Sequence, residues 1–279
     1  MNKQEVIDIV MSYAKDHEGN FVAPEIALSP ELKGMRMYDE PIFAFGSAFD
    51  PLFEELKNPE IIGPHLRLPQ EWLEGARTVV SLFFPISERI KESNGKDYEW
   101  PSCEWLHARI DGHRYIEDVM QYMKDTLAAS GHSSVIPSMD KGLSMKNPAV
   151  SDNREQAYYT SNWSERHAAF ICGNGTFGLS KGLITKKGVA GRLASIITDF
   201  ETEPDKRPYK YAYEYCSMCG ACIRHCPVSA ISFEKGKIHC LCSDFLNETR
   251  EKHNPRYGCG KCQVNVPCES AIPRKMKAI

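Results

Sequence analysis

The sequence predicts an α+β protein, an α/β body followed by a small ferredoxin-like domain, and three observations carry that expectation. Cys216-x2-Cys219-x2-Cys222-x3-Cys226-Pro227 has the spacing with which bacterial ferredoxins hold 4Fe-4S clusters on thiolates. Upstream, the run RTVVSLFFP over 77–85 reads as a buried strand lying between segments of helical period. Between these regions, 201–208 is rich in proline and charge and reads as a linker, which places a boundary near residue 205 and divides the chain into 1–205 and 206–279.

Taken in order, 3–17 reads as an amphipathic helix with Val6, Ile7 and Val10 on one face, and 42–45 reads as extended. Pro85 ends the strand 77–85, since proline cannot donate to a ladder. Ile116, Val119, Met120, Met123 and Leu127 recur at helical spacing, and Gly131 after Ser130 suits a C-cap. A short strand is expected at 134–136, then a polar loop over 141–161, long enough to suggest a functional role. Asn162-Trp163-Ser164-Glu165 has capping-box spacing and opens a helix that runs to Gly173. Segments 183–187 and 192–198, separated by Gly188, read as a hairpin.

Gly173, Gly175 and Gly178 form a GxGxxG. The motif follows a helix instead of joining a strand to a helix, so a dinucleotide site is not expected. Three glycines in six residues still imply positive φ or close approach to something bulky.

The cysteine run implies a partner set downstream, because its three closely spaced thiols wrap one cluster while the fourth points to another. Cys240, Cys242, Cys259, Cys262 and Cys268 supply it. On this logic Cys216, Cys219 and Cys222 share a cluster with Cys268. Cys226 joins Cys259, Cys262 and either Cys240 or Cys242. Cys262 and Cys268 are separated by five residues instead of three, and Pro267 precedes the last cysteine, a variant a longer loop accommodates. Zinc would suit two separated pairs better than a three-residue rhythm. Cys103 and Cys172 read as small buried residues.

At 279 residues and 42% hydrophobic, the chain is long enough for a sizeable core and a cofactor domain. A net charge of −3 with interspersed signs gives no electrostatic footprint for nucleic acid, so a tRNA substrate is unsupported. The apolar stretch 79–86, interrupted by Ser81, is far shorter than the about 20 residues of a membrane span, so no membrane association is expected. The N-terminal segment lacks the apolar core of a secretory signal, which favours a cytoplasmic, reducing compartment over disulfides.

Glu165-Arg166, Ala168-Ala169, Gly173-x-Gly175-x-x-Gly178, Thr185, Gly191 and Thr198-Asp199, followed by CxxCxxCxxxCP, resemble the core of epoxyqueuosine reductases and the related reductive dehalogenases over roughly residues 70–270. The resemblance implies a nitroreductase-like N-terminal domain that binds cobalamin and a ferredoxin-like domain that feeds it electrons from two 4Fe-4S clusters. It also places an isolated ligand cysteine sixteen positions after the Cys-Pro cysteine, which selects Cys242 and gives the second set as Cys226, Cys242, Cys259 and Cys262. The glycine loop would then let backbone approach the flat macrocycle. No DxHxxG corrin-binding signature is present, since Asp111-Gly112-His113 lacks the glycine.

The sequence departs from the resemblance in three places. Six positions before Glu165-Arg166, where epoxyqueuosine reductases carry a proton-donating Asp, stands Tyr159, the residue type that donates the proton in reductive dehalogenases; the nearby acid is Asp140. The sequence ends eleven residues after Cys268, without a helical-repeat tail, and begins without a twin-arginine leader. The expected function is a cobalamin-dependent iron-sulfur reductase of a small molecule or modified base, supplied by an external low-potential donor. The alternative is an activating partner that reduces the cobalt of another corrinoid protein.

Overall fold

A computed structural model describes residues 1–146 and 160–274. Helix α1 (Lys3–Asp16) begins with a reciprocal capping box between Asn2 and Glu5 and buries Val6, Val10 and Ala14. Strand β1 (Ile42–Ser47) and the short helices α2 (Leu52–Glu55) and α3 (Pro69–Trp72) lead to β2 (Thr78–Pro85), every residue of which is buried. After α4 (Glu88–Asn94), the Ser102 hydroxyl accepts from the Trp105 amide and starts α5 (Cys103–Ala129); Ser130 and Gly131, the latter at φ +84°, end it.

Strand β3 (Ser134–Val135) is followed by β4 (Met145–Lys146) and β5 (Thr160–Ser161), which pair with each other. Helix α6 (Glu165–Cys172), β6 (Gly175–Phe177), β7 (Leu183–Thr185) and β8 (Gly191–Thr198) complete the body. The cysteine-rich remainder holds α7 (Ala221–Arg224), the small ladder of β9 (Ile231–Ser232) and β10 (Gly236–Lys237), and α8 (His239–His253).

The central sheet has the order β1-β2-β8-β3, all neighbours antiparallel. Alternation along its strands separates two cores. Phe45, Val80, Leu82, Phe84, Ala194 and Ile196 pack against α1, α4 and α5, whereas Ala44, Val79 and Ile197 pack against α6 and the α2–α3 segment. Because both faces are covered, β2 reads as a mostly apolar run with no exposed polar face, its Thr78 and Ser81 buried as well. Full burial of each such Val, Leu or Phe side chain contributes about 1.5–3 kcal/mol.

Three expectations are revised. The hairpin expected from 183–187 and 192–198 does not form: β7 pairs with β6, and β8 pairs with β2 and β3. The backbone turns at Gly188 (φ +83°), and the amides of Val189 and Ala190 donate to the carbonyls of Cys268 and Glu269. Pairing with the last cysteine segment thus outcompetes a local hairpin. The capping box expected at Asn162 is absent; Asn162 instead accepts from the Ser144 amide and donates to the Gly142 carbonyl, while Ser164 stands at the N-cap of α6. Cys103 is exposed, whereas Cys172 is buried and donates to the Val79 carbonyl.

The segment 201–208 is fastened to the sheet. Asp205 exchanges hydrogen bonds with the backbone of Phe45 at 2.7 and 2.8 Å, Lys3 lies 2.5 Å from its carboxylate, and Arg207 pairs with Asp50 at 3.0 Å. Lacking regular structure, these residues extend the edge at β1 through backbone and ionic contacts that composition does not reveal.

Candidate cofactor site

The cysteine segment repeats one turn. Cys219-Gly220-Ala221-Cys222 and Cys259-Gly260-Lys261-Cys262 both place glycine in the left-handed region, at φ 70°, ψ 4° and φ 71°, ψ 0°. Cys216, Cys219, Cys222 and Cys268 border one small cavity and pack on Ile184, Val189, Ala221 and Val266. Burial, then the charges of Cys216, Cys222 and Cys219, push the Cys268 thiol up to about 12.

A second group is coupled in the same way. Burial pushes Cys259 up to about 12, with Cys262 and Cys242 adding to the effect. Cys262 is raised by burial, eased by Lys237, and raised further by Cys242 and Cys226. Cys242 is thus within electrostatic reach of this group. The Ala230 amide donates to the Cys226 sulfur at 3.2 Å, a contact that favours a thiolate. Among the described residues no three His, Cys, Asp or Glu side chains converge as a single-ion site. The longer 262–268 interval places Val264 in the main core and Val266 against the first group, so its two extra residues have a packing role.

Beside the second group lies a cavity of about 1190 Å³. That exceeds the ~300–1,000 Å³ of ordinary small-molecule pockets. One wall is apolar, from Leu52, Leu56, Ile61, Ile62, Phe170 and Ile171. The lining also carries the cations Arg166, Lys181, Lys210, Lys235 and Lys237, with Glu55 and Glu60. No run in the sequence announces these cations; the fold gathers them from α6, the turn after β6, the segment before Cys216 and the β9–β10 ladder. Five cations thus gather on a lining that also holds two carboxylates. His167 and His239 also line the cavity; burial first, then neighbouring cations, brings both down to about 4, so both imidazoles are neutral at pH 7.

The residues singled out from sequence are distributed around these features. Gly173 ends α6 in the left-handed region at φ +99°. Gly175 faces the protein's own β7: a Cβ there would overlap the Ile184 carbonyl. Gly178 borders the cavity of the first cysteine group. None of the three lines the large cavity, which the loop reaches through Phe177. Asp140 is exposed and its carboxylate accepts from the Gly142 amide at 2.7 Å, a turn-forming role away from the cavity lining. Tyr159 lies outside the described residues; its neighbour Thr160 lines the cavity and contacts His65 at 2.9 Å. Glu165, quoted above only as part of a motif, has both carboxyl oxygens buried without a hydrogen bond. Burial raises it to about 7; the Ser195 hydroxyl tempers the effect without bonding in ordinary geometry.

A 4Fe-4S binding domain signature matches residues 209–232. The chain is 45% identical over 69 residues to a tetrachloroethene reductive dehalogenase of Desulfitobacterium hafniense, a stretch covering 24% of this chain and 12% of that protein. It is 30% identical over 84 residues to the epoxyqueuosine reductase of Listeria monocytogenes, covering 27% and 21% respectively. In structure, it resembles a selenomethionine-labelled epoxyqueuosine reductase with a TM-score of 0.51 and 19% identity, over 96% of this chain and 66% of the other. A reductive dehalogenase structure associated with B12-dependent dehalogenation gives a TM-score of 0.51 at 16% identity, over 83% and 30%. The chain therefore has the fold shared by epoxyqueuosine reductases and reductive dehalogenases, and a 4Fe-4S binding domain lies within it.

Proposed function

We propose that this protein is an iron-sulfur oxidoreductase, a cobalamin-dependent reductase with two 4Fe-4S clusters. Cys216, Cys219, Cys222 and Cys268 would hold one cluster, and Cys226, Cys242, Cys259 and Cys262 the other. Residues 1–205 form the nitroreductase-like part and 206–279 the ferredoxin-like part, in a cytoplasmic protein served by an external low-potential donor. When bound, the clusters supply low-potential one-electron chemistry and a corrin supplies a cobalt centre that such electrons can reduce.

The observation that carries this reading is the adjacency of an oversized cavity to the second cysteine group, with Arg166 and Lys237 common to both. The apolar wall suits the face of a macrocycle, and the cationic side chains suit an anionic group such as a phosphate. Phe170 and Phe177, with ring centroids 5.9 Å apart, stiffen the wall below α6. Neutral His167 and His239 can accept or donate hydrogen bonds without adding charge. For the proton, Tyr159 is the candidate donor because its chain neighbour Thr160 belongs to the cavity wall, whereas Asp140 is engaged in its turn.

The cationic side chains favour an anionic substrate, including a modified base carried on a nucleic acid. A corrinoid protein as partner is the competing reading, in which the cavity receives another protein's cofactor. Titration of anaerobically reconstituted protein with cob(II)alamin, followed by absorption and paramagnetic resonance, tests residence of the cofactor. The expected outcome is tight binding with the dimethylbenzimidazole base displaced from cobalt. No spectral change at micromolar cofactor with intact clusters would leave the activating-partner reading.

A further inference from the structure

Lys261 stands between Cys259 and Cys262, and it is 2% exposed. Its ammonium donates to the Asn94 carbonyl at 2.8 Å, the Asp97 carbonyl at 2.7 Å and the Asn94 side-chain oxygen at 3.4 Å. All three acceptors are neutral. The Asp97 carboxylate also acts on it, but that group is exposed and accepts from the Glu99 and Trp100 amides, so the buried ammonium, bonded only to neutral oxygens, keeps much of its charge for a nearby anion. The anion that its position provides for is the thiolate group of the second cysteine set.

Two further cations address the same set from the cavity side. Lys237 comes within hydrogen-bonding reach of the Cys242 sulfur, and Arg166 interacts with Cys242 and Cys262. The first set is served differently. Arg224, bonded to the Cys219 carbonyl at 3.3 Å, is exposed, and Lys91, which donates to the Ser270 hydroxyl at 2.6 Å two residues beyond Cys268, is paired with Glu88 at 2.6 Å. Solvent screens the former and the carboxylate cancels the latter.

Positive charge and hydrogen bonds at the sulfurs raise a cluster's reduction potential, because the reduced form carries one more negative charge. We propose that Lys261 and Lys237 set potential, making the Cys226, Cys242, Cys259 and Cys262 site the easier of the two to reduce, so that a shared electron rests beside the cavity. The proposal depends on both cysteine sets holding 4Fe-4S clusters. One electron is redistributed: one cluster passes from 1+ to 2+ as the other passes from 2+ to 1+, with no proton moved.

The test is a redox titration of the full reconstituted chain monitored by paramagnetic resonance, with a chemical reductant. Cys242→Ala identifies the signal of the second set by removing it. Lys261→Met and Lys237→Met should each lower the midpoint of that signal and leave the other in place, changing the electron-sharing equilibrium about tenfold, which is about 59 mV for one electron. Should Lys261→Met fail to retain iron, Lys237→Met on the cavity wall gives the same readout without disturbing the buried loop. Unmoved midpoints, or a shift confined to the first signal, with about eight irons present would overturn this proposal alone. About four irons in the wild type would overturn the two-cluster reading and this proposal with it.

Discussion

Gly260 lies flat against the indole of Trp105, so close that a Cβ at this position would overlap the ring. The glycine is also at φ +71°, where side chains are strained. Asn94 adds to the contact by donating to the Cys259 carbonyl at 3.0 Å. The turn carrying Cys259 and Cys262 is thereby held between α4 and α5, and its geometry is set by the body of the protein.

Gly260→Ala is therefore expected to displace the 259–262 turn, costing about 1–3 kcal/mol from overpacking, and to halve the iron retained after anaerobic reconstitution. Iron analysis and thermal unfolding measure both. Full iron content in this variant would show that the turn tolerates the shift.

The choice between Cys240 and Cys242 gives a second prediction. Both lie in the first turn of α8, two residues apart and hence on different faces of the helix. Cys242 couples to Cys259 and Cys262. Cys242→Ala should remove about half of the bound iron and sulfide, and Cys240→Ala should remove none. The reverse pattern would exchange their roles.

The turn repeated within the cysteine segment was legible in the sequence as a CxxC spacing, and its two copies have matched dihedrals at Gly220 and Gly260. The strand over β2 was legible in its composition: burial on both faces leaves a mostly apolar run, interrupted by Ser81. The pairing of β7 with β6 was not, since it depends on Val189 and Ala190 finding acceptors near Cys268, about eighty residues away in the chain. The cationic lining was illegible for the same reason. Arg166, Lys181, Lys210 and Lys237 are dispersed in sequence, and only the fold assembles them around one cavity. The glycines were legible as a need for close approach, but the sequence could not say to what, and Gly175 meets the protein's own β7.

Asp111 supplies a third prediction. Its carboxylate accepts from Arg256 Nε at 2.8 Å and Nη2 at 3.2 Å, and from His107 Nδ1 at 2.6 Å. His107 Nε2 accepts from the Leu28 amide, which leaves the ring proton on Nδ1. Burial pushes Asp111 up, but His107 and Arg256 outweigh it and hold the group below its ordinary value. Such a group stabilises the fold above its unfolded pKa, and the contribution is lost as pH falls through the folded value. Asp111→Asn should cost about 1–3 kcal/mol at neutral pH, as expected for the loss of partly buried charged hydrogen bonds. Denaturant unfolding at pH 7 and pH 3 checks it, the difference from wild type shrinking at the lower pH. Because Arg256 immediately precedes the 259–262 turn, iron retention should fall as well.

Glu165 behaves in the opposite sense. Burial raises its carboxyl from 4.5 to about 7, with neither oxygen hydrogen-bonded. Between these values the folded chain holds a proton that the unfolded chain releases, so stability declines as pH rises from about 4.5 to about 7 and stays lower above that range. The full shift corresponds to at most about 3 kcal/mol, reduced by whatever relaxation brings water or the Ser195 hydroxyl to the ionised group. Glu165→Gln is neutral at every pH and keeps the shape of the side chain. It should abolish this decline, leaving the variant more stable than wild type at pH 8 and nearly equal to it at pH 5. Unfolding midpoints at the two pH values measure the effect, and parallel profiles for the two proteins would mean that Glu165 finds a compensating partner in solution.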